Sequence, residues 1–80
     1  MKCTQYFVQI RRRADRLQIT DDWIERVIAN PEAELVQADG RIRLWARIPQ
    51  AGGRYLRVVL LEDRKTVHNA FFDRRFREQK

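Results

Sequence analysis

Arg41-Ile42-Arg43-Leu44-Trp45-Ala46-Arg47-Ile48 places Ile42, Leu44, Ala46 and Ile48 on one side and Arg41, Arg43, Trp45 and Arg47 on the other. A period of two marks a strand with one face in the core. Before it, Asp39-Gly40 fits a tight two-residue hairpin turn in which both positions take positive φ. Residues 34–37 then form a short partner strand. After it, residues 49–53 (Pro-Gln-Ala-Gly-Gly) read as a loop. Residues 54–61 are almost wholly apolar after their start, which suits a central strand covered on both faces. Residues 62–65 are a polar turn, residues 66–72 a last strand and residues 73–80 a charged tail.

Two helices precede these strands. Phe7, Ile10, Ala14 and Leu17 fall at spacings of three, four and three, on one helical face. Arg11, Arg12, Arg13, Asp15 and Arg16 take the rest of that surface. Residues 6–10 also suit a short strand, because β-branched and aromatic residues crowd there. The second helix is better marked. Thr20 is a good N-cap, Asp21 and Asp22 sit at the positive end of the helix dipole, and Ile19 and Ile24 form a hydrophobic staple. Pro31 disfavours helical geometry at Asn30 and ends the helix. The expected fold is α+β in a single domain over residues 1–80. Two N-terminal helices cover one face of an antiparallel meander of three to four strands.

The open face of that sheet is basic. Residues 1–40 carry a net charge of −1 and residues 41–80 a net charge of +7. Of the 17 basic residues, 14 are arginine, whose planar fork grips phosphate in two places. The pI near 10.4 permits contact with polyanions. The single cysteine, Cys3, excludes an internal disulfide, and no run approaches the ~20 apolar residues of a membrane span. The start lacks a signal-peptide pattern, so a cytoplasmic protein with no membrane partner is expected.

Candidate chemistry follows from this face. Arg43 and Arg47 flank Trp45, and Tyr55 and Arg57 share a face of the next strand. Arginines hold phosphates while Trp45 or Tyr55 stacks on a base. Arg54, Lys65 and Arg77 extend the expected RNA-binding set. His68 is the only histidine and has a pKa suited to proton transfer in phosphodiester chemistry. Arg74 and Arg75 follow the last strand, where they could clamp a scissile phosphate. The ordinary alternatives are a solvated face with one tryptophan packed under the tail, a structural histidine and a solubilising terminus. The chain has no serine, no HExxH, no CxxC and no glycine-rich phosphate loop after a strand, and no cofactor or metal site is expected.

The run Gly53-Arg54-Tyr55-Leu56-Arg57-Val58-Val59-Leu60-Leu61, followed by Thr66-Val67-His68-Asn69-Ala70-Phe71-Phe72-Asp73-Arg74-Arg75-Phe76, resembles a family of small bacterial proteins of unknown function. Ile19-Thr20-Asp21-Asp22 and Asn30-Pro31 belong to the same resemblance. The sheet pattern is similar to RelE-like and BrnT-like toxins of toxin–antitoxin pairs. That resemblance implies a RelE-like fold, a metal-independent endoribonuclease and a cognate acidic or DNA-binding antitoxin. Among the residues of the closing strands, the Arg57 strand and Arg74-Arg75 are the positions it carries over. The first helix is shorter than in RelE-like toxins, and the opening hairpin of BrnT is missing.

Three functions remain open on the sequence: a toxin that cleaves RNA through Arg57, His68, Arg74 and Arg75, with His68 or Lys65 moving the proton; a noncatalytic RNA-binding or ribosome-associated module; and a small protein-interaction domain.

Overall fold

A computed structural model describes residues 1–77. It contains helix α1 (Gln5–Ile10), helix α2 (Asp21–Ala29) and strands β1 (Ala33–Val36), β2 (Ile42–Ile48), β3 (Arg54–Leu60) and β4 (Val67–Phe72). The strands form one antiparallel sheet in the order β1-β2-β3-β4. The general α+β class therefore holds.

The alternation in β2 is realised as read. Ile42, Leu44, Ala46 and Ile48 are buried against the helices, joined by Leu56, Val58 and Leu60 of β3 and Val67 and Ala70 of β4. Phe7 of α1 and Ile24 and Val27 of α2 complete the core from above. Arg43 pairs with Val59, Trp45 with Arg57 and Arg47 with Tyr55, which fixes all six on the opposite face.

Helix α2 begins where the sequence marks it. Thr20 Oγ1 accepts the Trp23 N–H at 3.2 Å, and Ile19 and Ile24 are both buried. Thr20→Ala removes that acceptor and should cost about 1 kcal/mol. In a domain of this size the melting temperature should fall by roughly 4–8 °C; an unchanged thermal transition would show that the cap contributes nothing.

The first helix is a correction. It stops at Ile10, and residues 11–18 run on through turns and a bend. Ala14 and Leu17 leave the expected face, and Leu17 is 69% exposed. Phe7 is the only residue of α1 that is fully buried. One anchor supports little propagation beyond a costly helical nucleus. The turns bring Ile19 back into the core and set Thr20 at the start of α2. Ahead of α1, the Thr4 N–H donates to the Val67 carbonyl, and Val67 N–H to that of Lys2, so the N-terminus lies along β4.

The β1–β2 turn is also different from the two-residue form. Gln37 and Arg41 close a three-residue loop, in which the Gly40 N–H donates to the Gln37 carbonyl and the Gln37 N–H to that of Arg41. Only Gly40 takes positive φ, +91°. The three-residue loop 38–40 thus ends on one left-handed residue, Gly40. Asp39 instead uses its carboxylate to accept the Arg41 N–H.

The β3–β4 turn is held by Asp63, which accepts from the N–H groups of Lys65 and Thr66 and from the Thr66 hydroxyl. These bonds, the Thr66 hydroxyl first, lower its pKa from 3.8 to about 2. A depressed carboxylate contributes stability above its unfolded pKa and loses it as pH falls toward the folded one. Thermal stability should therefore decline between about pH 4 and pH 2, and Asp63→Asn should flatten that decline. Identical pH profiles for the two proteins would refute the assignment.

Candidate nucleic-acid interface

The open sheet face is divided into two halves. The half nearer the β1–β2 turn is a cavity of about 450 Å³. Arg41, Arg43, Arg57 and His68 line it, with Tyr6 and Asn69 beside them, and no carboxylate is among its lining residues. Arg43 makes no side-chain hydrogen bond or ion pair among the described residues. Arg41 is exposed, and its guanidinium only approaches Asp39, at 3.9 Å. Two cationic side chains are thus left to meet an anion.

His68 reaches this cavity through an irregularity in the ladder. Val59 pairs with Asn69 and Leu60 with Val67, so His68 is the extra residue of β4. Thr4 Oγ1 lies 3.1 Å from His68 Nδ1, and the Tyr6 ring stacks on the imidazole at 4.9 Å. Burial, followed by the charge of Arg41, lowers the His68 pKa below its ordinary 6.5, while Asp39 pulls the other way. The shift favours the neutral imidazole.

The other half is closed by the chain itself. After β4, Asp73 turns the backbone and residues 74–77 fold back over the sheet. Asp73 Oδ2 accepts from Trp45 Nε1 at 3.0 Å and from Arg57 Nε and Nη2 at 3.0 and 2.7 Å. Its Oδ1 accepts the N–H groups of Arg75 and Phe76. Burial raises the Asp73 pKa, but the bonds from Trp45 and Arg57 outweigh it and leave the group lowered. The ionised carboxylate neutralises Arg57.

Trp45 is 6% exposed, with Phe76 stacked on it at 4.6 Å. The ring lies under the tail and offers no open stacking surface. Arg57 is committed through two of its nitrogens and sits over the Phe71 ring at 4.8 Å.

The remaining expected residues scatter. Arg47 is on the open face but pairs with Glu32 at 3.3 Å. Tyr55 packs edge-on to Phe76 at 4.8 Å. Arg54 opposes Ile48, whose side chain is in the core, so it belongs to the helix side; its Nε donates to the Ala51 carbonyl and its guanidinium covers Phe72. Lys65 lines a hollow with Ile28 and Ala29 of α2, also on the helix side. Arg74, Arg75 and Arg77 are exposed around Phe76. Of the four residues expected to catalyse, only Arg57 and His68 share the cavity. Five strand positions separate His68 from Asp73, a span of about 16 Å, so Arg74 and Arg75 do not converge on the imidazole.

Tyr6, Thr4, Arg41 and Asn69 join the site without having been singled out. Arg41 was legible from the β2 alternation, whereas Tyr6 and Thr4 depend on how the N-terminus docks. Arg16 departs from the solvated helix surface expected of it. Its guanidinium lies 5.4 Å from the Phe71 centroid, and Nε and Nη1 are buried without a hydrogen-bond partner. Among the described residues, no three His, Cys, Asp or Glu side chains gather as a metal would require, and no helix is long and apolar enough to cross a membrane. Comparison of the chain with protein-family models, curated proteins and solved structures finds no match.

Proposed function

We propose that this chain binds RNA through the open face of its sheet, with backbone phosphates held in the cavity by Arg41 and Arg43. The observation that carries the reading is the cavity lining: three arginines and a histidine with no carboxylate. Arg57 is offset by Asp73, which leaves Arg43 without an ion pair among the described residues and Arg41 with only the long contact to Asp39 at 3.9 Å. Such groups suit the phosphate backbone, which supplies most of the sequence-independent affinity for nucleic acid. Ribosomal RNA is one natural form of that ligand.

Cleavage in the manner of RelE-like or BrnT-like toxins is a second reading, and His68 favours it. Thr4 Oγ1 accepts the Phe7 N–H and has capacity to accept the His68 Nδ1–H as well. In that tautomer Nε2 is left with a lone pair for the proton of a ribose 2′-hydroxyl. The 2′ oxygen would then attack phosphorus, forming a 2′,3′-cyclic phosphate, and the departing 5′ oxygen would take a proton from water.

Titration of a fluorescent single-stranded RNA at ~50 mM salt, where phosphate contacts are strongest, tests binding. Saturable binding supports the reading, and its absence overturns it. Incubation of the bound RNA tests cleavage: products ending in a cyclic phosphate that vanish in His68→Ala support a toxin, and intact RNA leaves a binding module. If an acidic antitoxin-type protein covers the same face, it must compete with the RNA.

A further inference from the structure

We propose that Trp45 and Tyr55 form a base-binding subsite, occupied in the free protein by the chain's own Phe76. The inference rests on the RNA-binding reading above and adds the place where a base goes.

The Phe76 ring lies 4.6 Å from Trp45 with only 16° between the planes, and Tyr55 meets it edge-on at 65°. A nucleobase stacks on an aromatic side chain through the same ring face. Phe76 therefore stands where a base would stand, with a second aromatic wall already in place.

Charge decides which part of a nucleotide belongs here. Beside the platform lies the ionised Asp73, whose side chain is 7% exposed. Arg57 balances its charge, so the spot offers a phosphate no free cation and suits a neutral ring. Phosphate belongs instead with Arg43, which lies two residues from Trp45 on the same face of β2, about 7 Å away. One nucleotide spans that interval, so a base on Trp45 and its phosphate on Arg43 are compatible positions.

Exchange of Phe76 for a base is local. The Phe76 N–H bond to Asp73 Oδ1 is long, at 3.2 Å, and the ring is only half-buried. Its departure leaves the bonds of Asp73 to Trp45 and Arg57 in place. One ring-on-ring contact replaces another. A hollow of about 440 Å³ adjoins Phe76; Glu32 and Glu34 line it as well as Arg75 and Arg77, beside Trp45 and Leu35, so its charges balance and an uncharged base has a way in.

The test uses the full chain carrying Trp23→Phe, so that Trp45 is the only indole. Phe76→Ala is compared with its parent against a short single-stranded RNA and an abasic strand of equal length. The RNA should bind about threefold to tenfold tighter to Phe76→Ala, because base stacking no longer competes with the phenyl ring. The abasic strand should bind both proteins equally, and RNA should quench Trp45 emission more strongly in the variant. Phe76→Leu fills the volume without a stacking plane and should behave alike should the alanine protein fail to fold. Equal affinity of parent and variant for RNA, or an equal gain for the abasic strand, would overturn the subsite while leaving phosphate binding intact. Failure of both strands to bind either protein would overturn the RNA reading and this inference with it.

Discussion

Asp73→Ala should lower the stability of this domain more than any other single change to the open face, by about 3 kcal/mol. Asp73 accepts from Trp45, from two nitrogens of Arg57 and from the N–H groups of Arg75 and Phe76. The Asp73 side chain is 7% exposed and that of Arg57 22% exposed. Deleting the carboxylate strands a guanidinium in a site with little water, which is costlier than losing an exposed ion pair. The partial exposure of Arg57 keeps the cost at the lower end of the range. The tail also loses its anchor, so Phe76 should leave Trp45. A loss of this size corresponds to a fall of roughly 12–24 °C in melting temperature. Circular dichroism melts would measure it, and a drop below about 4 °C would mean that Asp73 is not the hub. Removing Arg57 together with Asp73 should recover part of the loss, since neither charge is then left alone.

The second large effect concerns binding. Arg41→Ala combined with Arg43→Ala should weaken RNA binding by more than about 100-fold at low salt, two charge-assisted bonds being worth about 3 kcal/mol together. The fold should be untouched. Arg43 has no side-chain partner to lose among the described residues, and Arg41 has only the distant Asp39. Arg12→Ala, at an exposed position in the turns after α1, should change affinity little. Anisotropy titrations of the three proteins would read this out.

The parts of the molecule that were legible in the sequence are those set by local rules. The cap at Thr20, the staple of Ile19 with Ile24 and the stop before Pro31 all lie within one helix and its flanks. The β2 alternation needs only its own period to separate Ile42, Leu44, Ala46 and Ile48 from Arg41, Arg43, Trp45 and Arg47. What escaped depends on distant chain. The spacing of Phe7, Ile10, Ala14 and Leu17 is helical, but the chain must turn after Ile10 to deliver Ile19 to the core. Trp45 was correctly placed on the face away from the helices. Its burial comes from Phe76, 31 positions later, returning across the sheet. Likewise, the pairing of Arg57 with Asp73, 16 positions later, could not be read from the strand pattern. The cavity around Arg41, Arg43 and His68 is built from the β1–β2 turn, β2, β3, β4 and α1 together, and no single stretch announces it.

The most direct test of phosphate binding is the salt dependence of RNA affinity. Each phosphate contact on single-stranded nucleic acid releases counterions and contributes a slope of about −0.7 to log affinity against log salt. The double variant at Arg41 and Arg43 should therefore give a line shallower than the native one by about 1.4. Parallel lines for the two proteins would contradict the account, because they would show that these arginines do not touch the RNA backbone.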